Sequence, residues 1–243
     1  MFSLLDIIWP RKCEICGRPA DRPGRYLCSD CLMRLPMIPV TGCCRKCGRD
    51  VPELDREYLC EDCRTHRPAF DRVASALRFE EDARQLLLDY KFKRSLWLKN
   101  DFVDLLEGVA RARFKVEEID LVLPMPTTLR HRIDRGYNQC DYLAAGLAKR
   151  LGRPFLKHGL RRVGDFERQG GLDEERRRTN VIGTFEVTSA GRRRFAKLIE
   201  KATVLVLDDV MTTGATLSEC AKTIKESGIS RVWCVSLCRS IRV

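Results

Sequence analysis

The stretch VLVLDDVMTTGATL, residues 204–217, joins an apolar run, two adjacent carboxylates and a hydroxyl-rich turn. Its first four residues are aliphatic, which predicts a short strand buried on both faces of a parallel sheet. Asp208 and Asp209 follow that run, at the end of a strand where open α/β sheets bind their ligands. A helical pattern begins after Gly214.

The turn between this strand and this helix has the composition of an anion-binding loop. Small residues leave backbone N–H groups accessible, and the following helix adds the positive end of its dipole. Carboxylates upstream suit a polyol or a hydrated magnesium ion, so the stretch predicts a sugar-phosphate site. An ordinary capped helix start is the alternative interpretation. The stretch is not a Walker loop, because no Gly-Lys-Ser/Thr follows. It is not a dinucleotide-binding fingerprint either, because that motif needs several glycines and this stretch has one.

This stretch resembles the 5-phosphoribosyl-1-pyrophosphate (PRPP) loop of type I phosphoribosyltransferases. The resemblance implies that Asp208 and Asp209 are the catalytic acids, facing the ribose hydroxyls and binding Mg²⁺ together with PRPP. It also implies a loop around the 5′-phosphate, made of Met211, Thr212, Thr213, Gly214, Ala215 and Thr216. IDLVLPMPTT, residues 119–128, is similar to the strand and loop that hold pyrophosphate in that family, with Pro126, Thr127 and Thr128 at the anion.

Four Cys-x2-Cys pairs stand near the N-terminus. Two such pairs give the two tight turns that a tetrahedral four-thiolate zinc site needs. The predicted structural zinc sites are Cys13, Cys16, Cys28 and Cys31, and Cys44, Cys47, Cys60 and Cys63. A disulfide framework is the alternative, but MFSLLDIIWP lacks the features of an export signal, so a reducing, cytoplasmic location is expected. The remaining thiols are expected to behave as small buried hydrophobes: Cys43, Cys140, Cys220, Cys234 and Cys238.

After residue 70 the predicted strands and helices alternate, which is typical of a mostly parallel sheet covered by helices. The predicted elements are a strand at 72–79, helices at 81–93 and 96–113, a strand from 119, a helix at 138–150, a strand after Thr203, a helix after Gly214 and a strand at 231–238. No transmembrane stretch is expected.

Positive charge is concentrated in the same part of the chain. The whole chain has 45 Lys and Arg residues and 34 Asp and Glu residues. Residues 1–69 hold 12 of the basic and 10 of the acidic residues, and residues 70–243 hold the other 33 and 24. Since each four-thiolate zinc site carries about −2, the zinc-binding part is not expected to attract nucleic acid. The candidate cations for substrate phosphates or a single-stranded DNA backbone are clustered at 130–135, 161–162, 176–178 and 192–194. A solvated helix face is the alternative interpretation, and it fits 192–194 best.

The segment DYKFKRSLWLK, residues 89–99, mixes aromatic and basic side chains. Tyr90, Phe92 and Trp97 could stack bases, and the basic side chains among them could follow the phosphates: Lys91, Lys93, Arg94 and Lys99. The favoured interpretation is a helix end that packs Leu86, Leu87 and Tyr90 into the core.

Over nearly its whole length the chain resembles the ComF family, which joins a double zinc ribbon to a phosphoribosyltransferase-like domain. The resemblance implies an α/β fold with a mostly parallel sheet of the type I phosphoribosyltransferase kind, a zinc ribbon at 1–68 and the second domain at 69–243. It rests on the cysteine pairs, residues 68–80, LDYKFK at 88–93, RGYNQ at 135–139, QGGL at 169–172, GTF at 183–185 and DDVMTTGATL at 208–217. It adds as site residues Arg135, Asn138, Gln139, Gln169, Arg177 and Asn180.

Three positions depart from the family pattern. Tyr137 stands where members usually have Phe, Met125 stands in place of Val, and FER at 166–168 replaces a Thr-Pro step. The family implies a role in DNA uptake or DNA utilisation, with single-stranded DNA and DNA-uptake or helicase-type proteins as partners. The expectation here is that role with the PRPP site retained. The alternative is an active transferase that moves the phosphoribosyl group from PRPP to a nucleobase or amine.

Overall fold

Four parallel strands form the central sheet, in the spatial order β1-β6-β5-β2, and two short antiparallel strands, β3 and β4, form a separate hairpin. The computed structural model describes residues 11–50, 58–163, 181–198 and 201–240. The strands are β1 Arg72–Arg78, β2 Ile119–Pro124, β3 Leu160–Arg162, β4 Phe185–Val187, β5 Thr203–Met211 and β6 Arg231–Arg239.

Eight helices accompany these strands in the described ranges. They are α1 Ser29–Arg34, α2 Glu61–His66, α3 Glu81–Phe92, α4 Lys99–Arg113, α5 Leu129–Arg135, α6 Gln139–Leu151, α7 Ser189–Phe195 and α8 Ala215–Glu226. Helices α4 and α6 pack together and against β1 and β2, whereas α8 packs against β5, β6 and β4. None of the helices in the described part of the chain has the length and apolar character needed to cross a bilayer.

Strand β5 lies in the middle of the core. Val204, Leu205, Val206 and Leu207 are completely buried. Because neighbouring side chains of a strand point to opposite faces, both faces of the sheet are covered there. The predicted α/β class with a mostly parallel sheet is confirmed.

The predicted elements are found, with two differences in their bounds. The helix expected at 96–113 begins with a 3₁₀ turn, Leu96–Leu98, before α4. The strand expected to end at Leu207 continues to Met211. It continues because β6 is equally long and pairs with it to the end, Met211 lying opposite Arg239. This pairing outweighs the weak strand propensity of two aspartates.

The N-terminal segment, described at residues 11–50 and 58–66, covers the β1 edge of the sheet. Ile38 N–H donates to the Ala76 carbonyl at 2.9 Å, and Val73 N–H donates to the Lys46 carbonyl at 2.7 Å. An exposed strand edge would offer unpaired backbone groups, and these bonds satisfy them.

Charged groups also attach the N-terminal segment to α4. Arg22 bridges Asp101 at 3.0 Å and Asp104 at 2.8 Å, and Arg25 also binds Asp104. Trp97 Nε1 donates to Glu14 at 2.7 Å. One apolar cluster includes residues from both parts, so the division between residues 68 and 69 stays a prediction.

The interpretation of residues 89–99 as a core-packing helix end agrees with the structure. Leu86, Leu87 and Tyr90 are buried. Trp97 lies 6.2 Å from the Tyr26 ring, beside the N-terminal segment.

Candidate functional site

The two acids lie in the second half of β5, toward the carboxyl edge of the sheet. Asp209 is 6 % exposed and Asp208 is half-buried. One oxygen of Asp208 accepts the backbone N–H of Asp209 at 2.8 Å. The pair therefore sits where a parallel sheet binds ligands, although the strand itself does not end before it.

Two side chains from different helices hold the Asp209 carboxylate. Lys91 Nζ, from the last turn of α3, lies 2.9 Å from Oδ1, and Gln139 Nε2, from the start of α6, donates to Oδ2. Burial alone raises the pKa of Asp209, but the charge of Lys91 and the hydrogen bond from Gln139 outweigh it, so the pKa lies below its ordinary value. Asp209 is thus an ionised carboxylate in a buried position.

Cys140 belongs to this site, which differs from its expected role as a spare thiol. Its Sγ lies 3.9 Å from Asp208 Oδ1, and ligand atoms of Cys140, Asp208 and Asp209 all lie within 4.8 Å of one another. Burial, followed by the two carboxylates, raises the pKa of Cys140 well above its ordinary value. The group next to the acids is therefore a neutral thiol.

The loop from Met211 to the start of α8 has the geometry of an anion cradle. Gly214 has φ +81°, a left-handed conformation that favours glycine, and a Cβ there would lie 2.6 Å from Met211 Cε. Thr213 Oγ1 accepts the Ala215 N–H at 3.3 Å. The twelve-residue helix α8 begins at Ala215 and directs its N-terminus at this loop.

A cleft of about 400 Å³ opens beside the second predicted loop. Pro126 and Thr127 line it, together with Arg132, Asn138, Asp141, Lys157, His158, Leu160, Arg161, Arg162 and Thr188. Five of these side chains are Arg, Lys or His, so the cleft is suited to an anionic ligand. A second cleft of about 390 Å³ shares His158, Arg161 and Thr188 with it.

The described hydrogen bonds of the RGYNQ motif hold other parts of the site in position. Asn138 caps α6 by accepting the Cys140 N–H at 3.2 Å, and its amide donates to the Met125 carbonyl at 3.0 Å. Arg135 donates to Gln139 Oε1 at 3.3 Å. Thr128 is buried. The predicted residues Gln169, Arg177 and Asn180 lie outside the described residues.

The eight predicted zinc ligands form two clusters. In each, the four Sγ atoms all lie within 4.8 Å of one another. The Sγ atoms of Cys16 and Cys28 are 3.8 Å apart, and those of Cys47 and Cys60 are 3.6 Å apart. Zn–S bonds of about 2.3 Å in tetrahedral geometry separate sulfur atoms by about 3.8 Å, so both clusters fit zinc. All thirteen cysteines are described and free, which contradicts the disulfide alternative.

Two residues near the site were not predicted as site residues from the sequence. The favoured interpretation placed Lys91 in a core-packing helix end, and Arg239 was not considered. Arg239 is 2 % exposed, donates to the Cys47 carbonyl, and lies 3.4 Å from Met211 Sδ. It therefore connects the second cysteine cluster to the anion cradle.

Comparison with known proteins gives the same two units. Residues 4–64 match the double zinc ribbon domain, and residues 140–242 match the phosphoribosyl transferase domain. Competence protein F of Haemophilus influenzae is 27% identical over 217 residues, which is 88% of this chain and 90% of that protein. DNA utilization protein YhgH of Salmonella typhimurium is 26% identical over 96% of this chain and 98% of its own. Competence protein ComFC of Bacillus subtilis is 26% identical over 85% and 81%.

Solved structures of two phosphoribosyl-handling enzymes are similar to part of this chain. An adenine phosphoribosyltransferase from Trypanosoma brucei gives a TM-score of 0.40 at 12% identity, covering 67% of this chain and 70% of that chain. A glutamine PRPP amidotransferase from B. subtilis gives 0.39 at 17% identity, covering 61% and 30%.

The fold and the cysteine clusters define a zinc-ribbon protein with a phosphoribosyltransferase-like domain. The chain is also similar, over most of its length, to competence protein F, competence protein ComFC and DNA utilization protein YhgH.

Proposed function

We propose that the protein binds PRPP or a related sugar phosphate with Mg²⁺ and serves DNA uptake or DNA utilisation. The observation that carries the proposal is the placement of Asp208 and Asp209 immediately before the Gly214 cradle, at the carboxyl edge of the sheet. The acids would take the ribose hydroxyls and residues 211–216 the 5′-phosphate. The loop with Pro126, Thr127 and Thr128 would hold the pyrophosphate group.

The other predicted side chains have supporting roles in this proposal. Gln139 holds Asp209, Arg135 holds Gln139, and Asn138 fixes the start of α6 beside the Met125 carbonyl. Gln169, Arg177 and Asn180 are proposed to contact the ligand from the segment outside the described residues. The two zinc ions are proposed to be structural, because each cluster uses four thiolates and leaves no open coordination position.

Isothermal titration with PRPP and Mg²⁺ tests the ligand. Asp208→Asn/Asp209→Asn keeps the size of both side chains but removes their charge. Affinity should fall by about tenfold or more, because a lost hydrogen bond to a charged group is worth about 1.5–3 kcal/mol. Unchanged titration curves would show that the acids are structural.

The DNA role is supported by the names of the relatives and by the cationic clefts. Competence protein F and DNA utilization protein YhgH match almost the whole chain. The two clefts share His158 and Arg161 and present further cations to solvent. We propose that a single strand follows these clefts, with its phosphates on the Arg and Lys side chains. DNA-uptake or helicase-type proteins are the proposed protein partners.

Salt dependence of oligonucleotide binding tests that surface. Replacement of Arg132, Lys157 and Arg162 by Gln removes three cations from the cleft, and the log–log salt slope should flatten by about 2. The control replaces Arg18 and Arg34 of the N-terminal segment by Gln and should leave the slope unchanged. If the control flattens the slope and the cleft variant does not, the DNA surface has been assigned to the wrong part of the chain.

Transfer of the phosphoribosyl group is the second candidate function. The cleft beside Pro126 and Thr127, with its polar lining of Asn138 and Asp141, offers room for an acceptor next to the proposed pyrophosphate loop. In that reaction the bond from ribose C1 to pyrophosphate breaks, a bond from C1 to an acceptor nitrogen forms, and the acceptor loses a proton. Pyrophosphate release that depends on both Mg²⁺ and an added base or amine would establish it.

A further inference from the structure

Three consecutive residues at the end of α3 make contacts around Asp209 and the segment before α6. The Tyr90 carbonyl accepts the Tyr137 hydroxyl at 2.6 Å. Lys91 reaches Asp209, and the Phe92 ring lies 4.7 Å from the Arg135 guanidinium. The helix end is thus held on both sides of Lys91, which positions its backbone next to Asp209.

Lys91 retains capacity to bind a ligand. Its side chain is 15% exposed, so Lys91 is not fully enclosed by its neighbours. An ammonium has three N–H donors, and among the described residues Asp209 is its one acceptor. Two donors remain for an oxygen atom of a bound molecule.

Asp209 is correspondingly poor as a metal ligand. One of its oxygens is held by Lys91 and the other by Gln139. A cation that coordinated Asp209 directly would have to displace an ammonium group already 2.9 Å away, and would be repelled by it. The cation at this acid is therefore supplied by the chain itself.

We propose that Lys91 is a ligand-binding residue of the sugar-phosphate site, where its ammonium group donates to an anionic oxygen and substitutes in part for Mg²⁺. This inference rests on the proposed binding of PRPP. It predicts that the protein binds PRPP in the absence of a divalent ion, and that this metal-independent binding depends on Lys91.

The experiment is a set of PRPP titrations of the zinc-loaded protein, with Mg²⁺ and in Mg²⁺-free buffer without a chelator, for four proteins: the unchanged chain, Asp209→Asn, Lys91→Met/Asp209→Asn, and Lys93→Met. The double variant removes both charges together, so no buried carboxylate is left unpaired. Lys93 is a matched control two residues away, 68% exposed and paired with Asp89. Zinc content and thermal midpoint establish that each variant is folded.

Without Mg²⁺, Lys91→Met/Asp209→Asn should bind PRPP about 10- to 100-fold more weakly than Asp209→Asn, the loss expected for one hydrogen bond to a charged group. Mg²⁺ should restore part of that loss, and Lys93→Met should match the unchanged chain. Equal affinities of Asp209→Asn and the double variant without Mg²⁺ would overturn the role of Lys91 while leaving PRPP binding intact. No PRPP binding by the unchanged chain in either condition would refute the proposed function, and the Lys91 inference with it.

Discussion

Attachment of the N-terminal segment to α4 can be tested by truncating Asp101, whose side chain is completely buried. Asp101 accepts Arg22 Nη1 at 3.0 Å and the Tyr26 N–H at 2.9 Å. Burial raises the pKa of Asp101 above its ordinary value, even though Arg22 and Arg25 oppose that rise. Burying this carboxylate therefore costs free energy. Removing it would also cost free energy, because Arg22 and the Tyr26 N–H would lose their acceptor.

The expected cost of Asp101→Ala follows from those two partners. Removing one member of a buried ion pair costs about 3–5 kcal/mol. In this variant Arg22 still has Asp104 at 2.8 Å, so the guanidinium charge keeps a partner. We therefore expect a loss of unfolding free energy at the lower end of that range, about 3 kcal/mol. Asp101→Asn should cost less, because the amide oxygen can still accept the Tyr26 N–H and no charge is desolvated.

Asp30→Ala is the matched control. Asp30 pairs with Arg18 at the same distance, 3.0 Å, but both side chains are about 60% exposed (60% and 62%). An exposed pair contributes about 0–1 kcal/mol. The measurement is urea unfolding of the zinc-loaded protein, followed by tryptophan fluorescence. A cost for Asp101→Ala within about 0.5 kcal/mol of that for Asp30→Ala would refute the argument that this buried cluster holds the segment in place.

Three further predictions concern the cysteine clusters and the cradle. Cys44→Ser should reduce bound zinc from two ions to one, whereas Cys43→Ser, at the neighbouring cysteine outside the cluster, should retain both; metal analysis measures this. Gly214→Ala should weaken PRPP binding about tenfold, because its Cβ would crowd Met211 Cε and the Phe70 ring within the cradle, whereas Gly228→Ala, also at a positive φ but in open space, should not. Arg239→Lys should lose zinc to a chelator about tenfold more readily, since an ammonium group cannot reach both Cys47 and Met211.

Features set by neighbouring residues were predictable from the sequence. The Cys-x2-Cys spacing determines a tight turn, so both clusters followed from the chain alone. The aliphatic run at 204–207 and the helix after Gly214 were predictable for the same reason. The position where β5 ends was not predictable from neighbouring residues, because it depends on pairing with Ser236, Cys238 and Arg239 of β6.

Residues brought to the site by tertiary contacts were not predictable. Lys91 is 118 positions from Asp209, and its sequence context, a helix end with Leu86 and Leu87, indicates packing rather than binding. Cys140 resembled a buried hydrophobic residue because its neighbours in sequence gave no sign of the carboxylates beside it. The charge of Lys91 and the thiol of Cys140 reach this site because the end of α3 and the start of α6 meet the acids of β5 there.

Arg239 gives a physical reason for the two domains to share one chain. A guanidinium group that is 2 % exposed requires partners for its charge, and here they are the Cys47 carbonyl, the Cys47 Sγ at 3.6 Å and Met211 Sδ. Cys47 belongs to the second cysteine cluster, and Met211 begins the cradle. A thiolate bound to zinc keeps part of its negative charge, which favours the cation beside it. The second cysteine cluster therefore stabilises the residue that supports Met211, so the position of the 211–216 loop depends on that cluster.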